Sequence, residues 1–353
     1  MKTKKSIAFY VFLSILFCIA YIIFAARPLT TEYQFVPQWK IDTSTQAPSP
    51  LSPGAVPLYF HLGQTAGYFT EDGQLVSIST FPFKATISDS YFTSYTADNS
   101  SVDFYHADGS RAGTITESGF PFFDEDRIFV FLPGGSSVVQ CNPDGSKKWQ
   151  YGGTVPITAF DSSKNGCVVG FADGTVREIS ADGKIVREFV PGGSDYSVIL
   201  GAALSPDGSY IATVSGQDRQ RFVLAKKDGT HAKIVFHEFV GQSDPHQRLV
   251  QFSRDSSIIW YNFNGGLGIV DSEGKKHSHI PVRGQALSLQ EAGNMVFLLT
   301  KENTTYTVYA IEKFDTLCGS FSFDARSAFI RTEGNNLFVG KDTTVSRITL
   351  EKK

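Results

Sequence analysis

The chain has 353 residues, of which 41% are hydrophobic and 13% aromatic, so it can bury a large core, and its length alone would suggest two domains. A formal net charge of −3 argues against nucleic acid or an anionic membrane surface as the partner. The 30 Phe, 14 Tyr and 32 Gly residues are typical of twisted β-strands joined by tight turns.

The N-terminus resembles a membrane-targeting segment. Three lysines within residues 1–5 form a basic stub that we expect on the cytoplasmic side, and they precede an apolar run over residues 6–26. At about 1.5 Å per helical residue this run would span roughly 30 Å, which predicts a transmembrane signal-anchor helix and a single-pass location in the inner (cytoplasmic) membrane. Two alternatives stay open: a signal peptide cleaved near Ile23-Phe24-Ala25, giving a secreted protein, and a lipoprotein acylated at Cys18.

Residues 27–57 carry six prolines and are predicted to form a linker. Such a stretch cannot hold a helix or a central strand, because proline lacks the backbone N–H that both require. We expect a semi-extended spacer that holds a globular body away from the bilayer.

The rest of the chain repeats one turn, in which an acidic residue and a glycine separate two β-rich runs. This pair favours a type I′ hairpin turn, since glycine adopts positive φ without steric cost. Successive acidic residues lie 36, 36, 38, 46, 45 and 42 positions apart. They are Asp72, Asp108, Asp144, Asp182, Asp228, Glu273 and, in a degenerate copy without glycine, Asp315. A period near 40 built from strands and turns predicts the blades of a β-propeller.

The fourth repeat shows the four strands expected of a blade. Residues 157–160 are predicted to be the innermost strand, followed by strands at residues 166–171, 175–179 and 185–189. The fifth repeat follows the same rhythm, beginning with residues 199–204. Inner strands are the most apolar and outer ones carry charge, as expected when blades surround a central channel.

The last repeat contains three β runs within residues 327–350 and lacks a fourth. We predict that residues 75–78 supply the missing outer strand, closing an all-β, seven-bladed propeller over residues 58–353 by pairing of N- and C-terminal strands. The number of strands from each terminus stays open, because residues 67–69 compete for the third-strand position. A β-solenoid is the main structural rival, although its coils are usually shorter than this period.

Two segments resemble known propeller families. The segment from Leu204-Ser205-Pro206-Asp207-Gly208 to Ala212 is similar to the repeat core of WD40-like and TolB-type bacterial propellers. Residues 142–149, ending in Trp149, resemble the tryptophan-docking repeat of the quinoprotein (PQQ-like) propellers. The resemblance covers about residues 58–350 and implies the fold rather than an activity. The Trp-Asp and Gly-His pairs of true WD40 repeats are absent, and Trp149 is the single docking tryptophan that we recognise.

No catalytic motif is present, so we assign no catalytic, cofactor-binding or metal-binding residue and expect no cofactor. A quinone-dependent dehydrogenase would need a stacking tryptophan and calcium-binding acids that match no position here. His277 and His279 would lie on one face of a strand without a third ligand, and we interpret them as exposed. Residues 124–126 are interpreted as a solvated acidic turn, because they lack the spacing of a calcium loop.

Of the four cysteines, Cys18 lies in the N-terminal apolar run, and Cys141, Cys167 and Cys318 lie in the repeats. No pair has CxxC spacing, which argues against a structural zinc site. We expect free thiols, and a disulfide between Cys141 and Cys167 stays open.

These observations predict a non-catalytic, membrane-anchored extracytoplasmic propeller that acts as a protein-interaction scaffold in the cell envelope. The expected partners are envelope or membrane proteins, with the binding residues unknown. By resemblance, the chain is similar to the quinoprotein-like propeller subunit of the outer-membrane barrel-assembly machinery, a scaffold without cofactor. The alternatives are a sensor that binds a small molecule or carbohydrate in a deep polar pocket, and a propeller enzyme, quinoprotein or hydrolase, that uses the central channel.

Overall fold

The computed structural model describes the backbone of residues 2–25, 33–96, 100–240 and 245–352, and the side chains of these residues except 2–8, 23–25 and 352. The chain divides into two compact units, Met1–Val36 with Leu350–Lys353 and Pro37–Thr349. Residues 26–32, which include the start of the predicted linker, lie outside the described residues.

Helix α1 covers Lys2–Ala25 in the first unit. Within the described residues no helix is long and apolar enough to cross a membrane. The predictions of a transmembrane signal-anchor helix over residues 6–26 and of a single-pass inner-membrane location are therefore wrong.

The described strands form eight antiparallel sheets, which we number as blades 1–8. Blades 1 and 2 consist of β2 (Pro57–Leu62), β3 (Thr65–Thr70) and β4 (Leu75–Thr80), and of β5 (Lys84–Ile87), β6 (Phe92–Tyr95), β7 (Val102–Tyr105) and β8 (Arg111–Ile115). Blades 3 and 4 consist of β9 (Phe120–Asp124), β10 (Arg127–Phe131), β11 (Ser137–Cys141) and β12 (Lys147–Gly152), and of β13 (Ile157–Ser163), β14 (Gly166–Phe171), β15 (Val176–Ser180) and β16 (Ile185–Phe189).

The second half of the chain forms the other four blades. Blades 5 and 6 consist of β17 (Ile199–Leu204), β18 (Tyr210–Ser215), β19 (Arg221–Asp228) and β20 (His231–Phe239), and of β21 (Val250–Phe252), β22 (Ile258–Phe263), β23 (Gly266–Asp271) and β24 (His277–Pro281). Blade 7 consists of β25 (Gln285–Ala292), β26 (Met295–Glu302), β27 (Thr305–Glu312) and β28 (Thr316–Asp324). Blade 8 consists of β29 (Ala328–Glu333), β30 (Asn336–Lys341), β31 (Thr344–Lys352) and, as its outer strand, β1 (Tyr33–Asp42).

The first strand of each blade lies innermost, beside the first strand of the next, and β29 contacts β2 to complete the ring. The prediction of seven blades is wrong, since the described chain forms eight. The error lies in residues 75–78, which form β4 and pair with β3 in a blade of their own. Strand β4 therefore belongs to a separate three-stranded blade and is not the outer strand of the closing blade.

Strand β1 supplies that outer strand from inside the segment predicted to be a linker. Pro37 is tolerated there because β1 is an edge strand, in which one row of backbone N–H groups faces away from the ladder. The ring of Trp39 lies 5.9 Å from that of Phe338, and its indole N–H donates to the Glu71 carbonyl at 3.0 Å. Thr43, just after β1, donates its backbone N–H to the Thr343 carbonyl at 2.7 Å.

Apolar side chains fill the interfaces between neighbouring blades, so that each blade is buried on both faces. Tryptophans on two outer strands pack against a glycine of the next blade's turn. A Cβ on Gly183 would lie 2.6 Å from Trp149, and one on Gly73 would lie 3.0 Å from Trp39, so each ring needs glycine beneath it. Trp39 therefore packs on the next blade as Trp149 does. The sequence predicts this packing for Trp149 only, because Trp39 lies in the proline-rich segment predicted to be a linker.

Candidate functional site

The propeller has two faces, defined by the direction of its innermost strands. We call the face at which the first strands of blades 2–8 begin the cleft face, and the face at which they end the turn face. Strand β2 of blade 1 runs the other way, since Gly63 after its end lies beside Ser327 before β29. The Asp-Gly turns between third and fourth strands, such as Asp144-Gly145 and Asp182-Gly183, lie on the turn face because strand direction alternates within each blade.

A cavity of about 460 Å³ opens on the cleft face among blades 3 to 6, and we call it the cleft. Three phenylalanines form an aromatic corner in its wall. The ring of Phe160 lies 5.9 Å from that of Phe122 and 5.1 Å from that of Phe131, with both pairs near perpendicular. The remaining apolar lining is aliphatic and includes Ile157, Ala159, Leu200, Ala202, Leu249 and Val250. A cavity of this size and lining is typical of ligand-binding pockets.

Asp161 of β13 lines both the cleft and a second cavity on the turn face, so it lies where the two meet. Its Oδ2 accepts the backbone N–H of Leu204 at 2.8 Å, which bridges the innermost strands of blades 4 and 5. Burial raises the pKa of Asp161 to about 7, and the nearby charge of Asp124 acts in the same direction. The N–H of Leu204 and the guanidinium of Arg127 oppose that rise without cancelling it.

The turn-face cavity has a volume of about 630 Å³ and is lined by residues of all eight blades. Its charges are largely paired. Arg331 donates to both carboxylate oxygens of Asp89, at 2.7 and 2.6 Å, and its guanidinium lies 4.2 Å from the ring centroid of Tyr59. Arg127 donates to Asp124 at 2.9 Å. The first pair links blades 8 and 2 and the second lies within blade 3, so this mouth of the channel is polar where the cleft is apolar.

Exposed apolar side chains are concentrated around the cleft. Outside α1, twelve large hydrophobic side chains are exposed among the described residues, and seven of them lie on the cleft face. The seven lie near the starts of first strands or the ends of fourth strands of blades 2–8: Phe83, Phe120, Phe122, Val190, Tyr196, Phe239 and Leu287. Exposed apolar surface gathered on one face is typical of an interaction surface.

The residues that the sequence analysis considered as possible metal sites lie outside the cleft. His277 and His279 are exposed on the outer strand of blade 6, and His279 Nε2 lies 2.8 Å from Glu238 Oε1. Residues 124–126 form the β9–β10 turn, where Arg127 binds both Asp124 and Glu125. Within the described chain, no group of three or more His, Cys, Asp or Glu residues is placed to hold a metal ion.

The cysteines form no disulfide: Cys18, Cys141, Cys167 and Cys318 are all free, so the open alternative of a Cys141–Cys167 bond is excluded. Burial raises the pKa of Cys141 to about 12, and it raises that of Cys167 as well. A thiol that stays protonated at neutral pH is a poor nucleophile and metal ligand.

Sequence reasoning did not find the cleft residues. Phe122, Phe131 and Phe160 come from two blades, and nothing in their spacing marks them as neighbours. The one available signal was Asp161, an acidic residue that directly follows the apolar run of a predicted innermost strand. A carboxylate at such a position is expensive to bury, which is why it deserves a functional hypothesis.

Comparison with known proteins agrees with the fold. A family model described as β-propeller protein matches residues 1–353, so the chain belongs to that family. A protein of Treponema pallidum (strain Nichols) with no assigned function is 30% identical over 361 residues, covering 99% of this chain and 96% of that protein.

Solved structures are similar in fold at low identity. BamB from Moraxella catarrhalis has a TM-score of 0.59 at 12% identity, covering 90% of this chain and 100% of that one. The computationally designed protein Ika8 has a TM-score of 0.61 at 14% identity, covering 85% and 98%. A chain of the mitotic checkpoint complex has a TM-score of 0.55 at 12% identity, covering 92% and 94%. The predicted resemblance to bacterial propellers is confirmed at the level of the fold.

The raised pKa of Asp161 predicts a pH-dependent stability difference. Between pH 4 and 7 the folded protein keeps a proton on this carboxyl that the unfolded chain releases, so the free energy of unfolding falls as the pH rises. In Asp161→Asn the side chain does not titrate, and its amide oxygen can still accept the Leu204 N–H. We therefore expect the variant to gain stability relative to the natural protein from pH 4 to pH 8.

Urea unfolding curves of both proteins at pH 4, 6 and 8 measure this difference. The other titrating groups are common to the two proteins, so their contributions cancel. A stability difference that is the same at all three pH values would contradict a desolvated carboxylate at this position.

Proposed function

We propose that this propeller is a non-catalytic scaffold that binds a partner protein on its cleft face, with the cleft receiving an anchoring side chain. The observation that carries the proposal is the concentration of exposed apolar side chains around an aromatic-lined cavity. Interfaces between proteins gain most of their affinity from a few anchors that enter well-packed pockets, surrounded by contacts that exclude water.

The physical properties of the face fit this role. The cleft is formed by innermost strands, which the ring of blades holds rigidly, so it needs little ordering when a partner binds. Phe83 and Tyr196, each about two-thirds exposed, are amphipathic or aromatic groups of the kind enriched in interface cores. The turn face, by contrast, presents ion pairs that are already satisfied within the protein.

Binding of a small molecule in the cleft is the second candidate function, and the volume of the cleft favours it. A cavity of about 460 Å³ lies within the range of roughly 300–1,000 Å³ for small-molecule sites. The exposed apolar side chains that extend beyond the cleft are not needed for a small ligand. They favour a protein partner.

A pair of triple variants tests the proposal. In the first, Phe83, Phe120 and Tyr196 on the cleft face are each replaced by serine. In the matched control, Tyr105, Ile185 and Leu317, which are exposed on the turn face, are replaced in the same way. We expect the cleft-face variant to lose at least about tenfold in binding, because each interface anchor contributes on the order of 1 kcal/mol or more.

The measurement is quantitative capture of cross-linked partners by the tagged full-length protein, in extracts of cells that express it. The turn-face variant should capture the same species as the natural protein in the same amounts. Equal capture by both variants, or loss confined to the turn-face variant, would refute docking on the cleft face. Circular dichroism and thermal unfolding of each variant establish that the fold is retained.

A further inference from the structure

We propose that the side chain inserted into the cleft is a lysine or arginine of the partner protein, whose cationic head pairs with Asp161. This inference rests on the proposed function, since it names the chemistry of the same anchor. It is carried by a single cavity that has an apolar wall and, at its base, the Asp161 carboxylate.

The aromatic corner offers the apolar and electrostatic environment that a basic side chain requires. Phe122 and Phe131 each meet Phe160 near a right angle, so this part of the cavity wall is formed by aromatic ring faces and edges. Ammonium and guanidinium groups are attracted to such faces, by about 0.5–2 kcal/mol depending on their desolvation. The methylene stem of a lysine or arginine can pack on aliphatic residues such as Leu200 while its charge reaches the base of the cleft.

Asp161 provides the opposite charge at that base. Among the described side chains none donates a hydrogen bond to its carboxylate, whose Oδ2 accepts the Leu204 N–H. Arg127, whose charge acts on Asp161, is held on the other side of β13 by Asp124, Glu125 and Ser162. The carboxylate is therefore desolvated without a cationic partner of its own. A bound cation would stabilise its charged form.

The other charges around Asp161 leave room for a cation. Asp124, from the blade on one side, adds negative charge. Arg248, before β21, lines the cleft, but its buried guanidinium donates to Gln220 Oε1 at 3.2 and 2.9 Å. An uncharged apolar anchor would fit the aromatic corner and leave the ionised Asp161 unpaired. For this reason charge complementarity favours a basic side chain.

Two short peptides that differ in one charge test the proposal directly. The probes are acetyl-Gly-Arg-Gly-amide and the same peptide with citrulline, which replaces the guanidinium by a neutral urea of nearly the same shape. Isothermal titration of the full-length protein at pH 8 is expected to show at least tenfold tighter binding of the arginine peptide. Asp161→Asn should remove this preference, whereas Asp195→Asn, which removes an exposed carboxylate from a cleft-face loop, should keep it.

The pH dependence of peptide binding to the natural protein provides a test that does not require a folded variant. Because the pKa of Asp161 is raised to about 7, the arginine preference should decline as the pH falls from 8 to 6, where the carboxylate becomes protonated. Equal binding of both peptides at pH 8, or a preference that survives in Asp161→Asn, would overturn the proposal. Free arginine or tetramethylammonium binding as tightly as the peptide would indicate a small-cation site instead.

Failure here can be told apart from failure of the docking surface. If the cleft-face serine variant loses its partner while Asp161→Asn captures it fully, the docking proposal stands and the basic anchor does not. If neither variant affects capture while the peptide preference is real, the cleft binds cations but is not the interface.

Discussion

Replacing Arg187 by methionine is expected to lower the free energy of unfolding by about 3–5 kcal/mol, because it leaves the Glu178 carboxylate buried without its partner. The guanidinium of Arg187 donates to Glu178, and the two side chains are 0% and 4% exposed. Arg187 also donates to the Gly208 carbonyl of the next blade at 3.3 Å, so the pair joins β15, β16 and the blade 5 turn.

Two further variants separate the buried charge from the lost contact. The double variant Arg187→Met/Glu178→Leu removes both charges, and it should recover most of the lost stability, since a buried ion pair can be replaced by apolar groups at little cost. The matched single control is Arg177→Met. It breaks the partly exposed Arg177–Glu188 pair in the same hairpin and should cost about 1 kcal/mol or less.

Equilibrium unfolding in guanidinium chloride, followed by tryptophan fluorescence, measures all three variants. A loss in Arg187→Met no larger than that in Arg177→Met would mean that the buried charge of Glu178 finds water or another donor. A double variant as unstable as the single variant would mean that packing around Arg187, rather than charge, decides the effect.

Removing β1 is expected to open the ring and to be the second large effect. A chain that begins at Ser44 lacks the outer strand of blade 8, including Trp39 and Ile41, which pack on the cluster shared by blades 8 and 1. Loss of a fully buried tryptophan typically costs about 3–5 kcal/mol. Trp39 is partly buried and should contribute less than that, but the β1–β31 ladder is lost with it. The exposed edge of β31 should also promote association.

The matched control is a chain that begins at Tyr33 and keeps β1 intact. Thermal unfolding and size-exclusion chromatography of both truncations give the comparison. We expect the chain starting at Tyr33 to unfold near the melting temperature of the full-length protein and to elute as a single species. The chain starting at Ser44 should unfold at a markedly lower temperature and form larger species. Indistinguishable unfolding of the two truncations would show that β1 does not close the ring.

Local sequence signals were strongest where strands are short, consecutive and separated by glycine turns. The predicted strands at residues 166–171, 185–189 and 199–204 coincide with β14, β16 and β17. Their pairing partners are the next runs along the chain, so a hairpin turn is sufficient to specify them. The same reasoning failed at the termini, where β1 pairs with a strand about 300 residues away and no local feature records that pairing.

The sequence by itself determined that this protein is built of repeated four-stranded units, because alternating apolar residues and Asp-Gly turns are local properties of each repeat. Only the tertiary structure decided the number of blades. That number depends on which distant strand pairs with β31 and on the packing of Trp39 against Gly73. The candidate site was decided in the same way. Phe160 and Asp161 are adjacent in the chain, but Phe122 and Phe131 of blade 3 meet Phe160 only when blades 3 and 4 lie side by side in the closed ring, where burial also raises the pKa of Asp161.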